Sequence, residues 1–577
     1  MYMSEGKNKK MNVKQISERL NKENVKKGFE YIRRNGVSRF WTLAKAKAFP
    51  AGKSYKEWYE EHCPTKEELM RQREVEFSVQ PLISIVVPTY QTPIPFLKDM
   101  IDSVRKQSYE KWELCIADGS LNGDENDTKV IRVREELNRY SMEDKRIKVV
   151  YLEENQGIAE NTNQALALAT GEYIGLFDHD DMLTPDALYE IVKAINDYDY
   201  DVLYTDEDKI SEDSHDYKKP VFKPDYSPEL LCANNYITHF FVAKKSIVDR
   251  LGGFRKEYDG SQDYDFIFRC VELAKKVGHV SKVLYHWRMH GGSVAGNPTS
   301  KMYAYDAGKK AIQSHYERVG IQANVEHMER LGLYHTEYKM IKQPLISVII
   351  YGEDDEKKKR CSEWFKRKDY SNLEILAFAG INVEEINALA EKARGSYLFF
   401  VSENLESVER DALQQMAGVL QIQNVGAVSG KVIGRKHTVE DVGVVFRTNG
   451  DLCKANYGIG DCDYGDMFRA KVMSNYSILS LNCFMTHKNT FEELGRFNEH
   501  FSLSFAAADY CLKLRMHGKR CVIQASVVWE SKDVMKNGMI NDEERERFYK
   551  EWQEVLRMGD PYYNSNYAKQ GALYILE

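Results

Sequence analysis

The chain has 577 residues, too many for one hydrophobic core, so we expect two or more domains. A composition of 43% hydrophobic and 29% charged residues excludes a wholly disordered chain, and the net charge of −7 gives no reason to expect a nucleic-acid partner. The ten cysteines include no C-x-x-C pair, which argues against a zinc site or a disulfide framework and favours reduced thiols in the cytoplasm.

Residues 1–80 are rich in Lys, Glu and aromatic residues with helical patterning, which predicts a helical N-terminal segment. Its first residues lack the apolar core of a secretory signal, and the apolar runs further on, such as 82–87, are of strand length, so we expect no membrane span. Residues 31–48 are basic with apolar residues interleaved. They fit either a helix resting on an anionic membrane surface or a helix packed on the main domain.

Strands and helices then alternate. Residues 81–87 form a short, apolar, β-branched run ended by Pro88, which is typical of a buried parallel strand. The alternation predicts a right-handed βαβ sheet, which binds ligands at the carboxyl ends of its strands. Asp118 and the run Asp178–Asp181 lie at such ends. The elements expected after the first strand are helix 96–107, strand 112–120, strand 147–152, helix 158–169 and strand 173–177.

The same pattern occurs twice. Residues 344–350 (PLISVII) repeat residues 81–87 (PLISIVV), and three further matches follow in the same order. Chance similarity of apolar strands would account for one match but not for an ordered set, so we expect two copies of one domain, at 81–335 and 336–577. The further matches are Gly395-Ser-Tyr with Gly171-Glu-Tyr, Leu494-Gly-Arg-Phe with Leu251-Gly-Gly-Phe, and Asp509-Tyr-Cys with Asp265-Phe-Ile.

Three carboxylates, Asp178, Asp180 and Asp181, follow a predicted strand directly. Like charges this close repel one another unless a cation neutralises them, and Mg²⁺ or Mn²⁺ held by one or two carboxylates and a diphosphate is the natural partner. The alternative is an acidic turn before a helix near Asp186. A second acidic run, 205–208, fits either the acceptor side of a site or a solvated turn.

Residues 81 to about 320 resemble family 2 inverting glycosyltransferases of the GT-A fold, most of all bacterial members that build rhamnose-containing or O-antigen-type surface polysaccharides. The resemblance covers about 240 residues with the motifs in family order. The matching pieces are Pro88-Thr89-Tyr90, Trp112-Glu-Leu…Asp118-Gly-Ser120, Asn155-Gln-Gly157…Asn163, Gly171-Glu-Tyr-Ile…Asp178-His-Asp-Asp181, Gly252-Gly-Phe…Gln262-Asp263-Tyr-Asp265 and Tyr285-His286-Trp-Arg288-Met-His290-Gly-Gly-Ser293.

The resemblance implies an α/β fold with two tandem GT-A domains, Rossmann-like and of the nucleotide-diphospho-sugar transferase type, after the helical segment. It implies that Asp263 is the general base and that Asp180, helped by Asp178, binds Mg²⁺ or Mn²⁺. One of His286 and His290 would contact the metal or the diphosphate, and the resemblance does not decide which of the two histidines it is. The residues implied to bind the nucleotide sugar are Pro88, Thr89, Tyr90, Asp118, Gly157, Asn163, Asp178 and Arg288.

The second copy departs from this pattern. Ala379 stands in place of Asp118, Gly352 in place of Thr89, and Ala507 in place of Asp263, while the acidic run becomes residues 402–405 (SENL). Each lost group supplies a different part of catalysis, so we expect a non-catalytic domain. Such a domain can bind the acceptor glycan, hold the first domain in place or form a homodimer.

The resemblance thus implies a metal-dependent hexosyl- or deoxyhexosyltransferase. It would move a sugar from a nucleotide-diphosphate sugar to a lipid-linked glycan in cell-surface polysaccharide synthesis, in the cytoplasm at the inner face of the membrane. One alternative is a bifunctional polymerase with both domains active, and another is a non-enzymatic glycan-binding protein. A nucleotidyltransferase would need a Gly-rich, basic loop after the first strand, whereas residues 90–95 (YQTPIP) contain neither Gly, Lys nor Arg.

Overall fold

A computed structural model of the protein describes residues 52–121, 127–290, 302–340, 342–367, 370–378, 380–407, 409–531 and 541–577. The basic stretch 31–48, the end of the last motif at 291–293 and Ala379 lie outside the described residues. None of the helices within the described ranges is long and apolar enough to cross a membrane.

Two short helices lead into the first sheet. In helix α1 the N-cap Ser54 and Glu57 form a capping box, and in α2 Thr65 and Glu68 do the same. These reciprocal bonds satisfy backbone N–H groups that a short helix leaves without partners. The described part of the predicted N-terminal segment is therefore helical in part, with α1 (Tyr55–His62) and α2 (Lys66–Arg73).

The first domain is built on a nine-stranded sheet with the order β3-β2-β1-β4-β8-β6-β9-β5, and β7 pairs with β6. Strands β1 to β4 are parallel neighbours, as the βαβ pattern predicts. The strands are β1 (Ile83–Thr89), β2 (Trp112–Asp118), β3 (Ile147–Tyr151), β4 (Tyr173–Leu176), β5 (Met182–Leu183), β6 (Val202–Ser211), β7 (Tyr217–Val221), β8 (Phe241–Lys244) and β9 (Val277–Met289).

Helices cover both faces of this sheet, so every residue of β2 and all but Pro88 of β1 are buried. The helices are α3 (Ile94–Arg105), α4 (Thr128–Glu143), α5 (Ile158–Leu166), α6 (Ala187–Tyr198), α7 (Pro228–Leu231), α8 (Lys245–Leu251), α9 (Gln262–Leu273) and α10 (Met302–Arg318), with a 3-10 turn at Lys256–Tyr258. A hairpin of β10 (Ala323–His327) and β11 (Tyr334–Tyr338) leads to the second sheet.

The second sheet repeats the first. Its order is β13-β12-β14-β21-β16-β22-β15, with β17 beside β16 and β20 beside β22. The strands of this domain are β12 (Ile346–Tyr351), β13 (Leu373–Ala377), β14 (Tyr397–Ser402), β15 (Leu405–Ser407), β16 (Val425–Ile433), β17 (Val439–Asp441), β18 (Val444–Phe446), β19 (Leu452–Lys454), β20 (Ser474–Tyr476), β21 (Cys483–His487) and β22 (Arg520–Ser531), of which β18 and β19 form a separate two-stranded sheet. The helices are α11 (Asp355–Lys366), α12 (Val383–Lys392), α13 (Ala412–Leu420), α14 (Lys488–Glu493), α15 (Leu503–Met516) and α16 (Asp542–Arg557), with a 3-10 turn at Asp466–Phe468.

Seven strands correspond one to one between the sheets. The series β2-β1-β4-β8-β6-β9-β5 matches β13-β12-β14-β21-β16-β22-β15, and each neighbouring pair has the same parallel or antiparallel sense. Among the described residues of the second sheet, no strand stands in place of β3. The predicted tandem α/β fold of GT-A type is confirmed.

Candidate active site

The acidic run follows β4 at its carboxyl end, and Asp181 anchors it. The carboxylate of Asp181 is buried and accepts hydrogen bonds from the Tyr285 hydroxyl (2.6 Å) and the Arg288 backbone N–H (2.7 Å). Burial, together with the charges of Asp180 and Asp178, raises the pKa of Asp181 well above its usual range. The side chains of Asp178 and Asp180 stay 49% and 19% exposed, so these two carboxylates can meet a ligand.

His239 links the acidic run to the second acidic segment. Its Nε2 lies 3.5 Å from an Asp178 oxygen and its Nδ1 3.2 Å from a Glu207 oxygen, while its ring stacks on Tyr285 at 4.4 Å between centroids. Burial lowers the pKa of His239, but the two carboxylates outweigh this and raise it to about 10. One ligand atom each of Asp178, Asp181 and His239 lies within 4.8 Å of the others, a spacing that could hold a metal ion.

Asp263 stands in the first turn of α9 and belongs to the same cluster. Its Oδ2 accepts a hydrogen bond from Asn235 Nδ2 (2.9 Å), and the other amide atom, Asn235 Oδ1, is buried and has no hydrogen-bond partner among the described residues. Burial raises the pKa of Asp263, His239 opposes this and Asp178 adds to it. The structure therefore brings the predicted base into the electrostatic neighbourhood of the acidic run.

Thr89 and Asp118 are direct neighbours at the ends of β1 and β2. The Thr89 hydroxyl donates to Asp118 Oδ1 (3.1 Å), as do the backbone N–H and hydroxyl of Ser120, and Arg134 Nε lies 3.4 Å from Asp118 Oδ2. The pair lies at the same edge of the sheet as the acidic run, because β1 also pairs with β4. Pro88 lies in β1 and is partly buried, and Tyr90 just beyond it is 39% exposed.

Gly157 lies directly before α5, and Asn163 lies within this helix. Gly157 has φ +96°, and a Cβ there would lie 2.6 Å from a carboxylate oxygen of Asp259. The Asn163 amide accepts from the Phe254 backbone N–H (2.7 Å) and donates to the Phe254 carbonyl (2.9 Å). Both residues are committed to contacts within the protein, and their predicted part in binding the nucleotide sugar stays a prediction.

The two candidate histidines have different surroundings. His290 Nε2 lies 2.7 Å from Asp180 Oδ2. His286 is buried, with Nδ1 2.6 Å from an Asp208 oxygen and Nε2 3.1 Å from the Tyr59 hydroxyl of α1. The geometry favours His290, because it lies beside Asp180 of the acidic run, whereas the ring of His286 lies between Asp208 and Tyr59.

The Arg288 guanidinium is buried and binds the backbone of the acidic run. Nε donates to the Asp180 carbonyl (2.6 Å) and Nη2 to Asp99 (3.1 Å), while Nη1 donates to the Glu212 carbonyl (3.0 Å) and the Ser214 hydroxyl. Four of its five N–H groups thus bind protein oxygens. This placement fits a support for the loop and argues against the predicted contact with a diphosphate.

Two groups of the cluster, His239 and Asn235, were not expected from the sequence, and the second acidic run, 205–208, had two possible interpretations. His239 and Asn235 lie in the loop before β8, and the run 205–208 is buried within β6 and is not a solvated turn. Trp287 pairs in register with Lys209, whose ammonium lies 3.0 Å from the centre of the indole ring. No local pattern marks His239, because its two partners come from distant parts of the chain.

The second domain has different groups at the matching positions. The Glu403 carboxylate turns back toward β12, where it accepts from the Asp354 backbone N–H (3.0 Å) and would overlap a Cβ at Gly352. Asn404 accepts from Lys357 (3.1 Å), and Ala507 is fully buried. Val432 pairs with Trp529 as Glu207 pairs with Tyr285 in the matching strands, so an apolar side chain replaces the Glu207 carboxylate, and the buried Lys431 one residue earlier replaces Asp206.

Residues 84–252 match the sequence profile of Glycosyl transferase family 2. A relative described as uncharacterized protein y4gI of Sinorhizobium fredii is 31% identical over 86% of this chain and 58% of its own length. O-antigen biosynthesis protein RfbC of Myxococcus xanthus is 26% identical over 89% of this chain and 42% of its own length. The chain thus spans about half the length of these two relatives.

Among solved structures, mannosyltransferase PcManGT from Pyrobaculum calidifontis, in complex with GDP-Man and Mn²⁺, is 19% identical, with a TM-score of 0.32 over 46% of this chain and 71% of its own. TarS of S. aureus (residues 1–349) in complex with UDP-GlcNAc is also 19% identical, with a TM-score of 0.32 over 40% of this chain and 66% of its own. On the match of the family profile, residues 84–252 of this chain are a glycosyl transferase family 2 domain.

Proposed function

We propose that the first domain, residues 81–335, transfers a sugar from a nucleotide-diphosphate sugar to a glycan hydroxyl with inversion at the anomeric carbon. The observation that carries the proposal is the grouping of Asp178 and Asp263 around His239, with Asp180 two residues from Asp178 and with Asp118 at the same edge of the sheet. A glycan-binding protein without activity would not need a carboxylate cluster and a half-buried base together.

Asp178 and Asp180 fit a divalent cation best. Their oxygens are the hard ligands that Mg²⁺ and Mn²⁺ take, both side chains are partly exposed, and His290 stands beside Asp180. Asp181 fits less well, because both its oxygens accept protein hydrogen bonds. When bound, the cation would offset the charge of the donor diphosphate.

Asp263 would act as the general base. Its carboxylate takes the proton of the acceptor hydroxyl while that oxygen forms a bond to the anomeric carbon and the bond to the diphosphate oxygen breaks. The raised pKa of Asp263 suits a proton acceptor, and Asn235 holds the carboxylate in place. Thr89 and Asp118 are fully buried and bonded to each other, so they would shape the nucleoside end of the site from within the sheet. Arg288 would support the acidic loop without touching the donor.

The second domain, residues 336–577, is proposed to be non-catalytic. Glu403 turns away toward the end of β12, Ala507 replaces the base, and Val432 replaces the carboxylate of Glu207. For the acceptor we propose a lipid-linked glycan, in line with a relative described as an O-antigen biosynthesis protein.

The test starts from the wild-type protein, screened against nucleotide sugars for thermal stabilisation in Mg²⁺ or Mn²⁺ and then for transfer to glycan acceptors. Asp263→Asn should leave metal-dependent donor binding intact and lower the transfer rate by about 10²- to 10⁴-fold. Asp180→Ala should weaken donor binding and remove its dependence on the cation. The matched control is Asp197→Asn, at an exposed position in α6, which should change neither.

Failure of the wild-type protein to transfer any sugar would contradict the proposed function. Transfer by the Asp263→Asn variant at the wild-type rate would remove Asp263 from the mechanism. Donor binding by the Asp180→Ala variant with unchanged metal dependence would remove Asp180 from the cation site.

A further inference from the structure

One segment of the first domain touches both the second domain and the candidate active site. Residues 222–240, here called the strap, connect β7 to β8 and include α7. The first half of the strap lies against the second domain, and the second half carries Asn235 and His239 to the site.

Side chains of the second domain bind the first half of the strap. The Arg520 guanidinium bonds both oxygens of the buried Glu229, at 2.7 to 3.1 Å. Asn475 accepts from the Ser227 hydroxyl (2.7 Å) and donates to Glu229 (2.7 Å). Buried, bidentate bonds of this kind fix both position and orientation.

The second half of the strap binds the candidate catalytic cluster. Asn235 donates to Asp263 (2.9 Å), and the Thr238 hydroxyl donates to Glu207 (2.8 Å). His239 lies between Glu207 and Asp178. A shift of this half of the strap would therefore move the partners of the proposed base and of the proposed cation ligand together.

Lys223 ties the two halves to each other. Its ammonium is fully buried and donates to the carbonyls of Ile237 (2.7 Å) and His239 (2.6 Å) as well as to Glu207 (3.0 Å). Its own carbonyl accepts from Asn564 of the C-terminal segment (2.8 Å). The strap is thus braced internally, so that a displacement at one half is passed to the other.

We propose that the second domain is a positioning element for the active site of the first, and that it acts through the strap. This inference rests on the proposed function and gives the degenerate copy a task that needs no chemistry of its own. Arg520 and Asn475 are positioning residues in this scheme, since each acts on the cluster through other side chains.

The experiment compares Arg520→Ala, Arg520→Lys and Arg330→Ala in the 577-residue chain. Arg330→Ala is the matched control, because Arg330 also contacts the second domain, over the rings of Tyr464 and Phe468, but lies outside the strap. We expect Arg520→Ala to lower kcat by about 10- to 100-fold, the size found when a partner of an active-site ligand is removed. The donor KM should rise as well, because His239 of the strap contacts the proposed cation ligand Asp178. Arg520→Lys keeps the charge but not the two-pronged contact with Glu229, so it should recover only part of this loss. Arg330→Ala should keep the wild-type kcat.

Arg520→Ala leaves Glu229 buried without its partner, so this variant can fail to fold. A second variant keeps the proposal testable in that case. Arg520→Met combined with Glu229→Gln removes both charges and should show the same fall in kcat. Hydrogen exchange adds a readout besides activity: amides 232–240 should exchange faster in Arg520→Ala and at the wild-type rate in Arg330→Ala.

The outcomes separate the two proposals. No transfer by the wild-type protein contradicts the proposed function. If the wild-type protein transfers sugar and the folded Arg520 variants keep kcat within about 2-fold of the wild-type value, the proposed role of the second domain is wrong. The proposed function is then unaffected. An equal fall in kcat for Arg330→Ala overturns the role of the strap, because any loosening between the domains would then suffice.

Discussion

Replacing Lys223 by methionine tests whether the charged core of the strap holds the first domain together. Methionine has a similar length but neither charge nor donors, so the change removes the ion pair with Glu207 and two bonds to backbone carbonyls. Removing one partner of a buried ion pair costs about 3–5 kcal/mol, because the other charge stays buried. Glu207 keeps the Thr238 hydroxyl and His239 as partners, so we expect a loss near the lower end, about 3 kcal/mol.

The free energy of unfolding is measured by urea denaturation followed by tryptophan fluorescence, with the slope on urea concentration as a check that the unfolded state is unchanged. Adding Glu207→Gln to Lys223→Met removes the buried charge and should recover at least about 1 kcal/mol. A loss below about 1 kcal/mol for Lys223→Met, or no recovery in the double variant, would refute the reasoning that an unpaired carboxylate dominates the cost.

Three further predictions concern other parts of the chain. Burial lowers the pKa of His279, but carboxylates, chiefly Asp206, outweigh this and raise the pKa from 6.5 to about 9. The charged ring therefore adds about 3 kcal/mol to the free energy of unfolding below pH 6.5, and this contribution is lost as the pH rises through 9. The difference in unfolding free energy between wild type and His279→Gln should accordingly shrink over this range, and a difference independent of pH would contradict the assignment. Glu403→Gln should leave every linkage in the glycan product intact by linkage analysis, whereas loss of one of two linkages would support activity in both domains. Gly157→Ala should lower the free energy of unfolding by about 1–3 kcal/mol, and by more than Gly320→Ala, because Gly320 also has a positive φ but has open space at its Cβ.

Much of the fold follows from local patterns in the sequence. The predicted strand 112–120 contains β2 and runs two residues past its end, and the apolar run 81–87 contains most of β1. These strands are buried on both faces, so composition alone identifies them. The ordered repeats also predict the second sheet, because strands that bury the same pattern take the same neighbours.

The sequence could not supply the contacts that span long distances along the chain. His239 is one histidine in an apolar run, and its role depends on Asp178 and Glu207, which come from two other strands or loops. The histidine segment shows a different limit. In β9 successive side chains point to opposite faces, which turns Tyr285 and Trp287 toward His239 while His286 turns toward α1.

Helix α1 has a consequence for how this protein can be divided. The Tyr55 and Tyr59 hydroxyls bind Asp208 and His286, and Trp58 packs against Phe222 at the start of the strap. A fragment cut where the family similarity begins, at residue 84, would therefore expose an aromatic patch and leave a buried carboxylate and imidazole facing water. The evolutionary module and the smallest stable piece are not the same stretch of chain, and a fragment for crystallisation or ligand screening should begin ahead of the capping serine at position 54.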